Sequence, residues 1–308
     1  MEPKRRVITL LPSATEIVCA LGLEEWLVGR SHECDFPESV RRMPACTAPK
    51  FDAAGTSGEI DERVRDVVAR ELSVYEVDAR MLRDLDPDLI ITQSQCEVCA
   101  VSLEEVERVI GEFVGSRPCV LSLNPRTLAD IWEDIQRCAD ALDEPQRGFD
   151  LVAELWRRVD EVRRATKTLA DRPKVACVEW IEPLMAAGNW MPELIALAGG
   201  ESLFGGPGSH SPRIEWQALI EQDPDVVMIA PCGFSIARSL EEIHLLSAHS
   251  GWSGLRAVRE GRVYIADGNQ YFNRPGPRIV DSLEILAEML HPQSFSFGWQ
   301  GRGFCRVG

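Results

Sequence analysis

Two stretches of twelve residues, in different halves of the chain, repeat one pattern. Residues 85–96 read LDPDLIITQSQC, and residues 222–233 read QDPDVVMIAPCG. Each begins with an Asp-Pro-Asp turn, continues as a short apolar run, and ends in a polar loop that carries cysteine. A short apolar run bounded by turn residues is typical of a buried strand in a parallel sheet. The repeat therefore predicts two similar α/β units, because each such strand needs neighbouring strands and crossover helices.

Two further pairs of segments support this interpretation. ATEIVCALGLEEWLVG (14–29) and MPELIALAGGESLFG (191–205) each read as a helix, a glycine exit and a short strand. CVLSLNPRTLADIWEDI (119–135) and VYIADGNQYFNRPGPRIVDSLEI (263–285) each read as a strand, a loop with proline and arginine, and a helix. The three pairs occur in the same order, which predicts two lobes of like topology.

Between the paired segments, residues 144–170 are predicted to form one long helix. Asp143 and Pro145 are start signals, and Asp171 with Pro173 are stop signals. About 26 residues at 1.5 Å each give a rod of roughly 40 Å. Its apolar side chains recur at steps of three and four and predict one buried face: Phe149, Val152, Leu155, Trp156, Val159, Val162 and Leu169.

The predicted fold class is α/β: two Rossmann-like lobes with mostly parallel sheets, joined by one long connecting helix. We expect an N-terminal lobe at 1–142, the connecting helix at 143–172, and a C-terminal lobe at 173–308. The last of these ends in a tail from Gln293 that shows no periodicity. The alternative is an ordinary packing helix inside one α/β domain.

Composition excludes several partners. The chain has 308 residues, 45% of them hydrophobic and 27% charged, which is typical of a soluble globular protein. No apolar run approaches the roughly 18 residues that a membrane helix needs. The net charge of −16 would repel phosphate backbones and anionic lipids. We expect neither nucleic-acid binding nor membrane insertion.

The first residues resemble the start of a secretory signal, but Pro12 and Glu16 interrupt the apolar stretch and no small-residue cleavage site follows. Ten cysteines, several of them on predicted strands or helices, favour reduced thiols. The expected location is therefore cytoplasmic. The alternative is a periplasmic or extracellular protein whose natural signal has been removed.

Three motifs carry a family resemblance. RVITLLPSATEIVCALGL (6–23), CDFP (34–37) and DPDLIIT (86–92), with a single helix between two α/β lobes, resemble the substrate-binding proteins of cobalamin and iron-siderophore ABC transporters. The cobalamin-binding branch is the most similar. The resemblance implies a ligand held between the lobes and delivered to a membrane permease. The chain departs from the family in its missing signal, in a longer stretch at 55–77, and in thiols on three of the predicted binding loops.

In parallel sheets, ligands bind beyond the carboxyl ends of the strands. Six aromatic residues follow predicted strands and could stack a large flat ligand: Phe36, Trp180, Trp190, Phe234, Tyr271 and Phe272. Polar residues on the same loops would orient the edge of that ligand: Ser13, His32, Glu33, Glu179 and Arg274. The alternative is that the aromatic residues only cap the core of each sheet.

Soft metal ligands form a second candidate constellation. The candidate ligands are Cys34, the C-x-x-C pair Cys96 and Cys99, and Cys232. Four such groups, with His32 as an alternative to Cys34, would suit tetrahedral zinc, and iron is also possible. A single C-x-x-C is a weak signal in a chain with ten cysteines.

Enzyme motifs are missing from the sequence. There is no G-x-G-x-x-G after the first strand, no phosphate-binding G-x-x-x-x-G-K-[ST], and no G-x-S-x-G nucleophile elbow. The sequence favours a protein that binds a small molecule without turnover: cobalamin, another corrinoid, or a similar large cofactor or iron chelate. An ABC permease is the expected partner if the chain is exported. The alternatives are a metalloprotein or enzyme with a Cys/His zinc or iron site, and an acidic scaffold that docks a protein.

Overall fold

The computed structural model describes residues 4–70, 73–94, 103–111 and 118–307. The chain divides into two compact units. The first comprises residues 1–55, 59–125 and 129–154, and the second comprises residues 56–58, 126–128 and 155–308.

Strands and helices are interspersed along the chain up to the end of the long helix. In chain order the elements are β1 (Val7–Thr9), α1 (Pro12–Ala20), β2 (Leu27–Arg30), β3 (Thr47–Pro49), α2 (Ser57–Val68), β4 (Tyr75–Val77), α3 (Ala79–Leu85), β5 (Leu89–Gln93), α4 (Leu103–Gly111), β6 (Cys119–Leu123), α5 (Leu128–Ala141) and α6 (Pro145–Thr166).

The main sheet of the first unit has the order β2-β1-β5-β6, and all of its pairings are parallel. Strand β5 lies between β1 and β6, so every one of its residues is buried. This explains why its sequence is a continuous apolar run rather than an alternating one. Ile8 and Ile90 pack with Val106 and Val109 of α4 in the core of this unit.

The second unit is also built of strands interspersed with helices. Its elements after α6 are β7 (Lys174–Trp180), β8 (Met185–Ala186), α7 (Met191–Leu197), β9 (Glu201–Ser202), α8 (Trp216–Gln222), β10 (Val226–Ile229), α9 (Ile236–Ser247), α10 (Arg256–Arg259), β11 (Val263–Ala266), α11 (Ile279–Leu290) and β12 (Phe304–Val307).

The sheet of the second unit has the order β12-β11-β10-β7-β8, with β9 also paired to β7. The three central strands β7, β10 and β11 are parallel, with Val227 opposite both Ala176 and Val263. Strands β8 and β12 run antiparallel to their neighbours. The predicted α/β class with mostly parallel sheets is confirmed, and the long helix contributes residues to both units.

The long helix differs from its prediction at one end. It ends at Thr166 rather than at residue 170, so its 22 residues span about 33 Å. After Thr166, the backbone N–H groups of Lys167, Thr168 and Leu169 donate to carbonyls three or four residues earlier. The Thr168 hydroxyl also donates to the carbonyl of Ala165 at 2.7 Å. Threonine hydroxyls that compete for backbone groups favour a helix end, which the apolar pattern alone does not indicate.

The buried face of that helix is also narrower than predicted. Leu155, Val159 and Val162 are buried, but Phe149 is 65% and Trp156 is 44% exposed. Phe149 and Trp156 lie seven residues apart and therefore share a stripe on the flank of the helix. The prediction of a single apolar face was wrong for these two residues.

Two strand pairings were not predicted. Strand β3 lies in the segment 44–58, which is rich in proline, glycine and small residues, and it pairs antiparallel with β4, with Thr47 opposite Val77. The unassigned tail contains β12, which pairs antiparallel with β11 from Val263 to Ala266. The Glu288 carboxylate anchors this tail because it accepts backbone N–H bonds from Phe297, Trp299 and Gln300 at 2.8, 3.2 and 3.1 Å.

Among the described helices, none combines the length and the apolar character that crossing a bilayer requires.

A buried carboxyl group in the first unit makes stability depend on pH. Asp134 of α5 is 3% exposed, accepts from Arg137 at 2.6 Å, and accepts from the Asn124 N–H at 3.3 Å. Burial outweighs these hydrogen bonds and raises the pKa of Asp134 to about 6. The folded state therefore binds a proton more tightly at this carboxyl than the unfolded chain does.

We predict that Asp134 destabilises the fold as pH rises from about 4 to 7, because the unfolded chain releases the proton first. Each pH unit between the two pKa values is worth about 1.4 kcal/mol, so the loss approaches roughly 3 kcal/mol. Urea unfolding across this range should show that loss in the wild type and not in Asp134→Asn. Asp140→Asn, at an exposed position of the same helix, is the control and should keep the wild-type curve. Identical pH dependence in the wild type and Asp134→Asn would contradict the prediction.

Candidate ligand-binding site

In the second unit, the loops that follow β7, β10 and β11 meet at one edge of the sheet. These strands are parallel neighbours, so their carboxyl ends all lie at that edge. Two backbone hydrogen bonds join the loops. Cys232 N–H donates to the carbonyl of Glu179 at 3.1 Å, and Asn269 N–H donates to the carbonyl of Phe234 at 3.1 Å. Three segments that are distant in sequence thus form one cluster.

An aromatic pair lies at the centre of the cluster. The rings of Trp180 and Phe234 are 5.3 Å apart between centroids and inclined by 56°. The Trp180 indole N–H donates to the carbonyl of Glu182 at 3.0 Å, which fixes the orientation of that ring. The Arg238 guanidinium lies 4.5 Å from the centroid of Phe234, a cation–π arrangement. Both predicted aromatic residues are therefore held in place by neighbours on this edge.

Glu179 is the penultimate residue of β7 and directly precedes Trp180. Burial raises the pKa of its carboxyl, and hydrogen bonds from Ser211 and the Gly188 N–H together with the nearby His210 only partly oppose that shift. The Ser211 hydroxyl also accepts from Gly188 N–H at 3.1 Å, so the two segments are joined. No sequence pattern identified Ser211.

The loop after β11 is fixed by its own polar side chains. The Asp267 carboxylate accepts from Gln270 N–H at 2.7 Å, which starts a short helical turn. The Asn273 amide donates to the carbonyls of Gly268 and Ala230 at 2.9 and 3.3 Å. Gly268 is required because an added Cβ would lie 2.1 Å from the carbonyl oxygen of Pro231. The backbone of this loop is therefore in direct contact with the backbone of the loop after β10.

Two buried arginines cross the same loop. Arg274 donates to the Asn269 side-chain oxygen at 3.0 Å, and Arg278 donates to that of Gln270 at 2.9 Å. Arg274 is 4% and Arg278 is 8% exposed. Arg278 directly precedes helix α11.

The tail adds residues that sequence reasoning missed. Trp299 packs edge-on against Tyr271 with centroids 5.3 Å apart, and its indole N–H donates to Glu284 at 3.3 Å. Arg278 lies 5.4 Å from the Tyr271 ring, and Arg302 lies 5.0 Å from the Trp299 ring. The two rings therefore have an arginine at each end, in the order Arg278, Tyr271, Trp299 and Arg302. Burial raises the pKa of Tyr271.

Trp190 and Phe272 have a different role from the one predicted for them. Trp190 is 6% and Phe272 is 1% exposed, and the Trp190 indole N–H donates to the Phe272 carbonyl at 3.1 Å. Their burial leaves little ring surface for a ligand to stack on. The two residues support the loop, which agrees with the alternative that aromatic residues cap the sheet core.

In the first unit, Arg30 at the end of β2 shapes the next predicted loop. Its guanidinium donates to the carbonyls of Ser31, Val40 and Arg41 at 2.8, 3.0 and 3.2 Å. A weaker bond of 3.3 Å reaches the carbonyl of His32. The Arg30 side chain therefore holds the backbone of residues 31–41 by hydrogen bonds at the carboxyl edge of this sheet.

His32 and Glu33 are joined by a second network. The His32 ring nitrogen Nδ1 lies 2.8 Å from Thr47 Oγ1, and the His32 backbone N–H donates to the same oxygen at 3.0 Å. The His32 ring lies 5.1 Å from the ring of Tyr75, whose hydroxyl donates to Glu33 at 3.0 Å. Burial and then the charge of Arg30 lower the pKa of His32. Thr47 and Tyr75 belong to the unpredicted β3–β4 pair, so no local pattern identified them.

The other predicted residues of the first unit differ in exposure. Phe36 is 43% exposed and offers ring surface. Ser13 and Cys34 are 2% and 1% exposed, and the Thr15 hydroxyl lies 2.9 Å from the Cys34 sulfur. Ser13 and Cys34 are thus packed within the first unit.

The predicted metal set receives no support from the geometry. Cys96 and Cys99 lie outside the described residues. Cys34 belongs to the first unit and Cys232 to the second. Within the described ranges, no group of three or more histidine, cysteine, aspartate or glutamate side chains is arranged to hold a metal ion.

The model of the family described as "Periplasmic binding protein" matches residues 7–269 of the chain. The chain belongs to the periplasmic binding protein family. The match spans both α/β units and includes most of the loops described above.

Three known proteins are similar to this periplasmic binding protein over most of its length. A vitamin B12-binding protein of Vibrio vulnificus is 23% identical over 292 residues, covering 93% of this chain and 90% of that protein. An uncharacterized ABC transporter substrate-binding lipoprotein of Bacillus subtilis, YvrC, is 23% identical over 306 residues, covering 96% and 82%. A solved periplasmic heme-binding protein of Pseudomonas aeruginosa superposes with a TM-score of 0.71 at 22% identity, covering 99% and 98%.

These similar proteins are binding proteins rather than enzymes, so the expectation of binding without turnover is confirmed at the level of the family. The resemblance to substrate-binding proteins of ABC transporters is likewise confirmed. The Bacillus subtilis relative is a lipoprotein and the Pseudomonas aeruginosa protein is periplasmic, which fits the alternative location and gives no support to the cytoplasmic one.

We predict that Gly268→Ala destabilises this periplasmic binding protein by about 1 to 3 kcal/mol, because the new Cβ would collide with backbone that cannot rotate away. The variant should also weaken ligand binding, since the loops after β10 and β11 must separate. Urea unfolding and ligand titration measure the two effects.

The control for this prediction is Gly254→Ala, where an added Cβ meets no atom within 4 Å. Its unfolding free energy should stay within about 1 kcal/mol of the wild type. Equal stabilities of the two variants would show that the close approach at Gly268 is unimportant.

Proposed function

We propose that this chain is the ligand-binding component of an ABC transport system and that its ligand is a corrinoid of the cobalamin type. It binds the ligand against the loops that follow β7, β10 and β11 and releases it unchanged. The observation that carries the proposal is the cluster at this edge: an oriented aromatic pair, Trp180 and Phe234, beside a loop rich in amide and guanidinium groups.

The aromatic pair supports a large flat ligand. Trp180 is partly exposed and offers ring surface, and its bond to the Glu182 carbonyl fixes its orientation. Phe234 is only 7% exposed, so it supports the Trp180 ring rather than contacting the ligand over its face, and Trp180 held in this way forms a preorganised apolar wall. Such a wall gains affinity because no side-chain freedom is lost when the ligand stacks on it. Tyr271, supported by Trp299, extends the aromatic surface along the β11 loop.

The polar groups favour a corrinoid over a heme. A corrin ring carries primary amides at its edge, whereas a heme carries two propionate carboxylates. Asn269, Gln270 and Asn273 are side-chain amides on the loop, and an amide both donates hydrogen bonds to another amide and accepts them from it. The net charge of −16 also disfavours a ligand with two negative charges.

The relatives support the transport part of the proposal. One is described as a vitamin B12-binding protein and another as an ABC transporter substrate-binding lipoprotein. We therefore place this chain outside the cytoplasmic membrane, where an ABC permease accepts its ligand.

Titration of the purified protein with cyanocobalamin, hemin and a ferric hydroxamate tests the ligand. We expect cyanocobalamin to bind with a dissociation constant on the order of 1 μM or tighter, and at least about tenfold more tightly than hemin. Binding of hemin or the ferric chelate without binding of cyanocobalamin would refute the corrinoid assignment.

Trp180→Ala tests the site. Removing a central aromatic contact should cost at least about 1 kcal/mol, which weakens cyanocobalamin binding by roughly fivefold or more. Trp156→Ala removes the same side chain from the surface of helix α6 and serves as the matched control. Equal losses in both variants, or none in either, would place the ligand elsewhere.

A further inference from the structure

A turn in the tail is bonded directly to the start of the loop after β11. The backbone N–H of Asp267 donates to the carbonyl of Gly303 at 2.9 Å, and the N–H groups of Arg302 and Gly303 donate to the carbonyl of Trp299 at 2.9 and 2.8 Å. The turn from Trp299 to Gly303, here called the tail turn, therefore lies beside that loop, and both belong to the second unit. The match to the family's model ends at residue 269, so it implies nothing about the tail turn.

Two rings at this place are held in fixed orientations. The Trp299 indole N–H donates to Glu284 at 3.3 Å, and the Trp299 backbone N–H donates to Glu288 at 3.2 Å. The backbone of Tyr271 is held by the Ser282 hydroxyl, which donates to its carbonyl at 2.7 Å. The two rings meet edge-on and are both half-buried, so part of each ring is accessible. A ligand that contacts these rings finds them already in place.

The polar ends of this group are available to a ligand. Arg302 is exposed, and its guanidinium lies 5.0 Å from the centroid of the Trp299 ring. Within the described part of the chain, the Arg302 side chain forms no hydrogen bond or ion pair, and the Tyr271 hydroxyl forms no hydrogen bond. A guanidinium that stacks on a ring keeps its N–H groups in one plane, where they can bind an anion bidentately.

The carboxylates near the tail turn have partners of their own. Asp281 and Glu284 each lie 2.7 Å from the guanidinium of Arg158. Glu288 accepts three backbone N–H bonds from the tail. No carboxylate of the described residues pairs with Arg302, so its positive charge is available to an anion from outside the chain.

This combination suits a phosphodiester that is attached to an aromatic group. A guanidinium binds phosphate oxygens with two N–H donors, and a phenol adds a third donor. The accessible parts of two rings suit a flat base next to that phosphate. Cobalamin contains such a unit, because a phosphodiester joins its corrin ring to a nucleotide base. Cobinamide has the same ring without the phosphodiester and the base.

One ligand can contact both the proposed binding loops and the tail turn. The Asn269 N–H donates to the carbonyl of Phe234, and Tyr271 follows Asn269 by two residues. Two residues span at most about 7 Å, which is less than the width of a corrin ring. All of these residues belong to the second unit.

We propose that the Arg302 guanidinium and the Tyr271 hydroxyl bind the phosphodiester of the nucleotide arm of the corrinoid. Trp299 positions Arg302 and contacts the base. This inference rests on the proposed function and deepens it, because it makes the tail turn the part of the protein that selects complete corrinoids over those without the arm. The interaction is a hydrogen-bonded ion pair, and no covalent bond forms or breaks.

The test is a titration with cyanocobalamin and with dicyanocobinamide, which share the corrin ring and differ in the nucleotide arm. We expect the wild type to bind cyanocobalamin at least about tenfold more tightly. Arg302→Gln should weaken cyanocobalamin binding by at least about tenfold and change dicyanocobinamide binding by less than about twofold. The variant should fold normally, because the Arg302 side chain is exposed and has no described hydrogen-bond partner.

Three further variants test the geometry of the contact. Arg302→Lys keeps the charge without the planar pair of donors and should lose part of the cyanocobalamin affinity. Tyr271→Phe removes only the hydroxyl and should weaken cyanocobalamin binding by roughly fivefold, with dicyanocobinamide binding unchanged. Arg172→Gln, at another exposed arginine of the second unit, is the matched control and should behave like the wild type.

The outcomes separate this inference from the proposed function. If the wild type binds both corrinoids equally, or if Arg302→Gln weakens both equally or neither, the contact to the nucleotide arm is refuted and the corrinoid function stands. If the wild type binds neither corrinoid, both are refuted. Binding of inorganic phosphate that Arg302→Gln abolishes, with no difference between the corrinoids, would make the tail turn a site for free phosphate and overturn the inference.

Discussion

The parallel pairing of β7, β10 and β11 is the constraint on which the candidate site depends. Parallel strands in neighbouring positions have their carboxyl ends at one edge, so the segments that follow them are brought together whatever their distance in sequence. The ring contact of Trp180 with Phe234 and the backbone bond from Asn269 to Phe234 both follow from this pairing. A site assembled in this way is as rigid as the sheet beneath it, which suits a protein that binds without chemical turnover.

Much of the fold could be predicted because its signals are local. The strands Leu27–Arg30, Leu89–Gln93, Lys174–Trp180 and Val263–Ala266 begin and end where apolar runs meet turn residues, and the structure places them at those bounds. The missed elements have signals of another kind. Strand β3 lies in a segment rich in proline and glycine, and the tail that leads into β12 is anchored by backbone bonds to Glu288, which no local pattern indicates.

The candidate site divides in the same way. The residue types on the loops after strands were predicted, because aromatic and polar side chains there stand out against buried apolar runs. Their partners were not. Thr47, Ser211 and Trp299 each reach a predicted residue from another element, and no spacing in the sequence links them to it. The burial of Trp190 and Phe272 could not be predicted either, because the sequence does not distinguish an aromatic residue exposed on a loop from one buried in the core.

The antiparallel strand β12 has a consequence beyond the support of Tyr271. Without it, β11 would be an edge strand with a row of exposed backbone donors and acceptors, which is a template for association with another chain. The segment that shelters these groups is also the one that carries Trp299 to the binding loop. One segment therefore protects the sheet edge from association and also shapes the candidate ligand surface. A substitution in this segment that changes one property is expected to change the other.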